Sequence, residues 1–380
     1  MVITDSLPWE VDVAVVGGGP AGLAAALAAR RSGLSVVVAD QTRPPIDKAC
    51  GEGLMPDGVA ALRQLGVALP ERQGRGFRGI RFIEGALAPE ALFPGTGGVG
   101  IARTALHRLL LDHARDAGAV VFERTRVEGM DRGEIRFGGR RVRCRWIVGA
   151  DGLHSHVRAW AGLDRATRHR PRIGVRQRFR VRPWTDLVEV HWHAHGQAYV
   201  TPTSAEEVNV ALVSRSGQAR FRDLSVLFPA LATRLEGAET VGPARGASTL
   251  SCRLLSVTDG RVALIGDASG SVDAITGDGL SLAFRQAVAL GAAFDAGELG
   301  LYAASHARLA RRPRLMERLL LLMSDHPKLR RRILQALMER PRTFERCLAV
   351  HVGGLGAASL WWDLAGVGPD LVGPRRRVAG

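Results

Sequence analysis

Apolar positions follow two rhythms along this chain. Near the N-terminus a run of four, Val13–Val16, leads into Gly17, Gly18 and Gly19. An Ala/Leu-rich stretch follows from Pro20 to Arg31. A turn at Ser32-Gly33 then opens a second short run, Val36–Ala39, closed by Asp40. Short unbroken runs between turn signals read as buried strands, and the longer Ala/Leu stretch as a helix. Together they predict a β-α-β unit. A helix is expected over 57–65. Leu106, Leu109, Leu110 and His113 recur at helical spacing over 104–117. Residues 120–123 read as a strand, 133–137 and 140–144 as a hairpin turning at Gly138-Gly139, and 146–149 as an apolar strand. From Arg172 to Val213 the period becomes two. Ile173, Val175, Gln177, Phe179 and Val181 share one face; Arg176, Arg178, Arg180 and Arg182 share the other. Residues 187–195 and 208–213 continue as strands. A buried strand returns at 262–265, and 279–294 and much of the rest to Arg346 read as helical.

The glycines after the first strand stand in G-x-G-x-x-G order at Gly17, Gly19 and Gly22. In a β-α-β unit the first permits a tight turn, the second lets backbone approach a pyrophosphate, and the third lets helix and strand pack closely. The helix N-terminus adds free N–H groups and partial positive charge. Asp40, about 20 residues on, stands where a carboxylate binds a ribose hydroxyl. The fold class expected is α/β: a Rossmann-like dinucleotide domain, an inserted antiparallel β-sheet substrate domain and a helical C-terminus. The expected boundaries are 10–75, 100–165 and 255–300 for the first, 76–99 and 166–254 for the second, 301–350 for the helices and 351–380 for a loose tail.

Composition narrows the class. At 380 residues the chain can bury a sizeable core. No apolar segment reaches the length of a membrane span. The opening residues lack the basic and apolar regions of a signal peptide, so a cytoplasmic location is expected. Cys50, Cys144, Cys252 and Cys347 are widely spaced, which gives no zinc pattern and points to reduced thiols. The net charge of +15 rests almost wholly on arginine, with Lys48 and Lys328 the only lysines. That bias looks like coding composition, and with no nucleic-acid motif present nucleic acid is not an expected partner.

Three separated motifs combine: the glycines with Asp40; Gly149-Ala150-Asp151-Gly152 with Ser155 and Arg158; and Gly266-Asp267-Ala268-Ser269-Gly270, continuing to Gly277-Asp278-Gly279. Over roughly residues 10 to 300 this set resembles the FAD-dependent aromatic hydroxylase superfamily, and more closely its geranylgeranyl reductase-like branch. The resemblance implies FAD as cofactor, with Gly17, Gly19 and Gly22 at the pyrophosphate and Asp40 at the adenosine ribose. It implies Arg103 near the phosphates and ribityl chain, Gly266 and Asp267 at the ribityl chain, and Asp151 serving FAD and transient NADPH or NADH docking. Asp151 also reads as a helix cap. Gly277 and Gly279 allow backbone to lie against a flat ring, and Asp278 reads as the cap of the helix that follows.

Cys50, in Cys50-Gly51-Glu52-Gly53-Leu54, resembles a cysteine loop bordering the reductases' substrate cavity; inert packing is the alternative. Tyr199 is the one aromatic kept from the stretch that lines their prenyl cavity. His191, His193 and His195 alternate on one strand face. No carboxylate partner accompanies them, so no metal is expected; a half-solvated strand face is one reading, and His193 as a catalytic candidate facing substrate is the other. The reaction expected is NAD(P)H-dependent monooxygenation of a lipophilic small molecule with O₂, through a flavin hydroperoxide. Reduction of a carbon–carbon double bond is the alternative, and a non-catalytic FAD-binding redox sensor the second. Leucines and arginines mix over 311–346, which reads as helices packed on the flavin domain or as a peripheral membrane contact.

Overall fold

The computed structural model describes residues 10–356, apart from 132, 169–170 and 216–219. The expected loose tail falls outside the described residues from 357 onward.

Five parallel strands form the centre of the first sheet. They run in the order Val262–Leu264, Arg140–Gly149, Glu10–Val16, Val36–Ala39, Val120–Phe122, with Thr258–Asp259 antiparallel at one edge. Parallel strands are covered on both faces, which is why Val13–Val16 and Val36–Ala39 read as unbroken apolar runs. All eight of those residues are buried. The chain moves outward from Glu10–Val16 through Val36–Ala39, then crosses to Arg140–Gly149 on the other side. That reversal puts a crevice beyond Val16 and Gly149, where open α/β sheets bind ligands.

The helix Pro20–Arg31 begins with Pro at its first turn, where the missing N–H costs nothing. The expected hairpin is present, with positive φ at both Gly138 and Gly139 as a type I′ turn needs. Its second arm does not stop at Cys144, however. Arg140–Gly149 is one ten-residue strand that leaves the hairpin and enters the parallel sheet.

The second sheet has seven strands, in the order Glu239–Thr249, Arg172–Arg180, Glu207–Arg215, Gly196–Pro202, Leu187–His193, Gly79–Ile83, Glu90–Leu92. It is antiparallel except for one parallel pair, Leu187–His193 with Gly79–Ile83. Glu239–Thr249 carried no strand signal, because Gly242, Pro243 and Gly246 interrupt it. It survives as an edge strand whose register breaks around Pro243, where a missing N–H is tolerated.

The last three helices, Arg311–Asp325, Pro327–Glu339 and Pro341–His351, are separated by prolines that open each new helix. Of the expected flavin-domain contacts, those with Met55 and Ile275 are present, but much of the helices' apolar face lies on the second sheet. Leu320, Met323, Leu334, Phe344 and Leu348 cluster with Val188, Val190 and Trp192 of the second sheet and with Ile275.

Candidate active site

One cavity of about 1020 Å³ begins at the crevice and runs under the C-terminal helices. Gly17, Gly19, Asp40, Arg103, Asp151, Gly266, Asp267, Gly277 and Gly279 all line it, as do Cys50 and Tyr199. Tertiary folding thus brings together residues from five separated stretches.

The glycine loop is built for close approach. A Cβ at Gly22 would stand 1.9 Å from the Gly17 carbonyl oxygen, so that position serves helix–loop packing. A Cβ at Gly19 would meet nothing within 4 Å, so that surface is open to the cavity. The side of Asp40 facing the loop is engaged: its Oδ2 accepts from the Gly18 N–H at 2.6 Å, and Oδ1 from the Thr42 N–H at 2.7 Å. His107 Nε2 lies 2.9 Å from the Gly18 carbonyl oxygen. A carbonyl only accepts, so Nε2 carries the proton. Burial holds His107 below the ordinary imidazole range, which keeps it neutral in that role. Its position inside an ordinary helical pattern gave no sign of this contact.

Arg103 opens the helix Arg103–Asp116. Its backbone N–H donates to Glu52 Oε1 at 2.9 Å, while its Nε is buried without a partner. Glu52 was also missed in the sequence. It lies in the cysteine loop with φ of 58°, and it substitutes for the absent N-cap side chain at that helix. Burial raises its carboxyl above the ordinary range, against the Arg103 N–H, Arg176 and Arg178. Arg176 and Arg245 also hold Asp47: burial opposes ionisation there, but the two guanidiniums bring its carboxyl below the usual range. The arginine face of Arg172–Arg180 therefore anchors the loop that carries Cys50. The thiol accepts the Glu52 N–H at 3.3 Å, and Asn209 Nδ2 donates to the Cys50 carbonyl at 3.1 Å.

Asp151 has the capping role. Its Oδ2 accepts from the N–H groups of His156 and Val157 at 2.7 and 3.1 Å, and its Oδ1 from Ser155 Oγ. Arg158, 4% exposed, donates to the carbonyls of Leu153 and Ala268 and pairs with Asp164 at 2.7 Å. It ties the second motif to the third. Asp267 meets Lys48 of the cysteine loop at 3.2 Å, with both side chains about half exposed.

Three expectations change. Tyr199 donates its hydroxyl to the Ile275 carbonyl at 2.8 Å, and burial pushes that hydroxyl well above the ordinary phenol range. Its hydroxyl hydrogen is engaged in holding the loop before Gly277. His193 does not line the cavity. Strand alternation turns Val188, Val190 and Trp192 inward, while His191 and His193 pack edge-on against Phe228 behind the sheet. Asp278 makes no capping hydrogen bond to its helix.

Past these groups the cavity wall becomes apolar: Phe82, Trp192, Met316, Leu320, Met323 and Phe344. Among the described residues no group of three or more His, Cys, Asp or Glu side chains could hold a metal ion. No described helix is long and apolar enough to cross a membrane.

The pyrophosphate-accessible Gly19, the unpartnered Arg103 Nε and the size of the cavity suit an elongated dinucleotide. The family described as "FAD binding domain" matches residues 10–311. A menaquinone reductase of Mycolicibacterium smegmatis is 31% identical over 303 residues, covering 71% of this chain and 73% of that protein. A digeranylgeranylglycerophospholipid reductase of Methanosarcina acetivorans is 26% identical over 290 residues, covering 71% of each. The FAD-dependent monooxygenase pytG of Aspergillus terreus is 30% identical over 226 residues, covering 52% of this chain and 67% of that protein. The cofactor is FAD, and NADPH or NADH is the reductant typical of the family.

Proposed function

Since the chain belongs to the FAD-binding domain family, and is an FAD-dependent oxidoreductase, we propose that it reduces a carbon–carbon double bond in a lipophilic, isoprenoid-type substrate. The observation that carries this reading is the continuity of the cavity: the cofactor loops open directly into a compartment walled by Phe82, Trp192, Met323 and Phe344. A long hydrocarbon chain fits such a wall, because each methylene moved from water gains about 0.8 kcal/mol. Two relatives that each cover about 71% of this chain are named menaquinone reductase and digeranylgeranylglycerophospholipid reductase. This reverses the preference for oxygenation drawn from sequence.

Gly19, the start of the Pro20–Arg31 helix and Arg103 would hold the FAD phosphates; Asp267 would hold the ribityl chain. When bound, FAD supplies two-electron reduction. The protein's own part is placement and exclusion of water. Cys50 is the proton donor of this reading, since its thiol lines the cavity on a loop fixed by Arg176 and Asn209. Tyr199 positions the 274–279 loop.

Leu319 and Leu322 line the cavity and are 39% and 43% exposed, so the apolar compartment reaches the surface of the Arg311–Asp325 helix. Arg311 and Arg318 of the same helix, and Lys328 and Arg331 of the next, are exposed. This arrangement supports uptake of substrate from an anionic membrane surface.

Oxygenation is the second reading, favoured by the relative named a monooxygenase. Incubating the holoprotein with NADPH or NADH and a geranylgeranyl lipid, with and without O₂, separates the two. Gain of two hydrogens without O₂ supports reduction. Gain of an oxygen atom only when O₂ is present rejects it.

A further inference from the structure

At the Gly277–Gly279 end of the cavity, charged groups from four elements meet around one imidazole. Asp278 Oδ1 lies 3.7 Å from Nε2 of His351, the last residue of its helix, and the two side chains are 1% and 5% exposed. Asp278 Oδ2 and His351 Nδ1 are both buried without a hydrogen-bond partner, and both residues line the cavity. Behind them Asp57, in the first turn of the Pro56–Gln64 helix, lies 3.2 Å from Arg285 Nη1. Arg312, near the start of the Arg311–Asp325 helix, acts on the same carboxylates. Cys347 sits one turn before His351 and also lines the cavity. Glu339 of the preceding helix is exposed, and Glu90 of the neighbouring strand is turned to Arg81.

The charges in this group almost cancel. Arg285 and Arg312 stay cationic, as guanidiniums do in proteins. Burial raises the Asp57 carboxyl above its ordinary range; Arg285 opposes this and Asp278 adds to it. The two carboxyl groups of Asp57 and Asp278 face the two guanidiniums of Arg285 and Arg312. Negative charge arriving in the cavity upsets that balance. In a buried site an uncompensated charge is costly, and imidazole is the side chain that changes charge near neutral pH.

We propose that His351, held against Asp278, takes up a proton when the bound FAD is reduced and so balances the negative charge of the reduced ring. Two electrons and one proton enter the flavin. A second proton, from solvent, enters the free Nδ1 of His351, giving an imidazolium whose other N–H faces Asp278. Reoxidation returns both. His351 is a charge-balancing residue in this scheme, and it works in the same way whether the electrons pass to a double bond or to O₂.

The test needs no substrate. The midpoint potential of the bound FAD is measured against pH on the alkaline side of neutrality, with dithionite as reductant and redox dyes as mediators. The holoproteins compared are wild type, His351→Phe and His351→Gln. The wild type is expected to take up two protons per two electrons and both variants one, so that the slope of potential against pH halves. The same slope in wild type and variants overturns the proposal. A wild-type slope of one proton overturns it without any variant. If His351→Phe fails to retain FAD, the smaller change in His351→Gln carries the comparison.

Discussion

The backbone N–H of Arg103 donates to the carboxylate of Glu52 at 2.9 Å, so a side chain 51 residues upstream fixes the start of the helix that borders the cofactor cavity. Glu52→Ala should lower stability by about 1–2 kcal/mol, the usual effect of losing a cap, as read by chemical denaturation. The pH dependence is more specific. The Glu52 carboxyl is raised in the folded state, chiefly by burial. Its contribution is therefore favourable at pH below the ordinary carboxylate range and is lost as pH rises into the raised one. Glu52→Gln should gain on the wild type through that window. A stability difference flat in pH would exclude this account.

Gly19→Val should abolish FAD binding while leaving the fold intact. The residue is extended, with φ −67° and ψ 175°, and a Cβ there has nothing within 4 Å. The apoprotein should unfold within about 0.5 kcal/mol of wild type, as for a surface change. Gly22→Ala should do the opposite, losing soluble protein, because its Cβ would meet the Gly17 carbonyl oxygen at 1.9 Å. Absorbance of the purified proteins near the flavin bands, with thermal melts, checks both. A Gly19→Val protein that stays yellow would remove Gly19 from the cofactor site.

Tyr199→Phe and Cys50→Ala separate positioning from proton transfer. Loss of the Tyr199 bond to the Ile275 carbonyl should cost about 1 kcal/mol and weaken FAD retention. The pH profile of turnover should not move. Cys50→Ala should leave the flavin spectrum unchanged and slow double-bond reduction by about 10²-fold, the lower range for a lost general acid. Unchanged turnover in Cys50→Ala would return Cys50 to a packing role.

The opening beside Leu319 and Leu322 can be tested with vesicles. Wild type should sediment with vesicles containing anionic lipid, and salt should weaken the binding. Leu319→Asp combined with Leu322→Asp should release the protein while FAD stays bound, since both side chains are partly exposed. Sedimentation of the double variant equal to wild type would reject this surface.

The sequence determined the parallel sheet and the cofactor. Val13–Val16 and Val36–Ala39 are legible because a strand covered on both faces must be apolar throughout, and Gly17, Gly19 and Gly22 because their spacing is a local backbone requirement. The period-two stretch gave the second sheet, but not the edge strand Glu239–Thr249, whose glycines and proline are tolerated only by virtue of its place at the edge. Only the tertiary structure decided which polar side chains face the cavity. Tyr199, Asp278 and His193 each carried a local pattern open to several roles. Their roles turned on partners from distant parts of the chain: the Ile275 carbonyl, His351 and Phe228. The roles of Glu52, inside the cysteine loop, and of His107 and His351 were not legible, because a hydrogen bond or charge contact between remote residues leaves no periodicity in either segment.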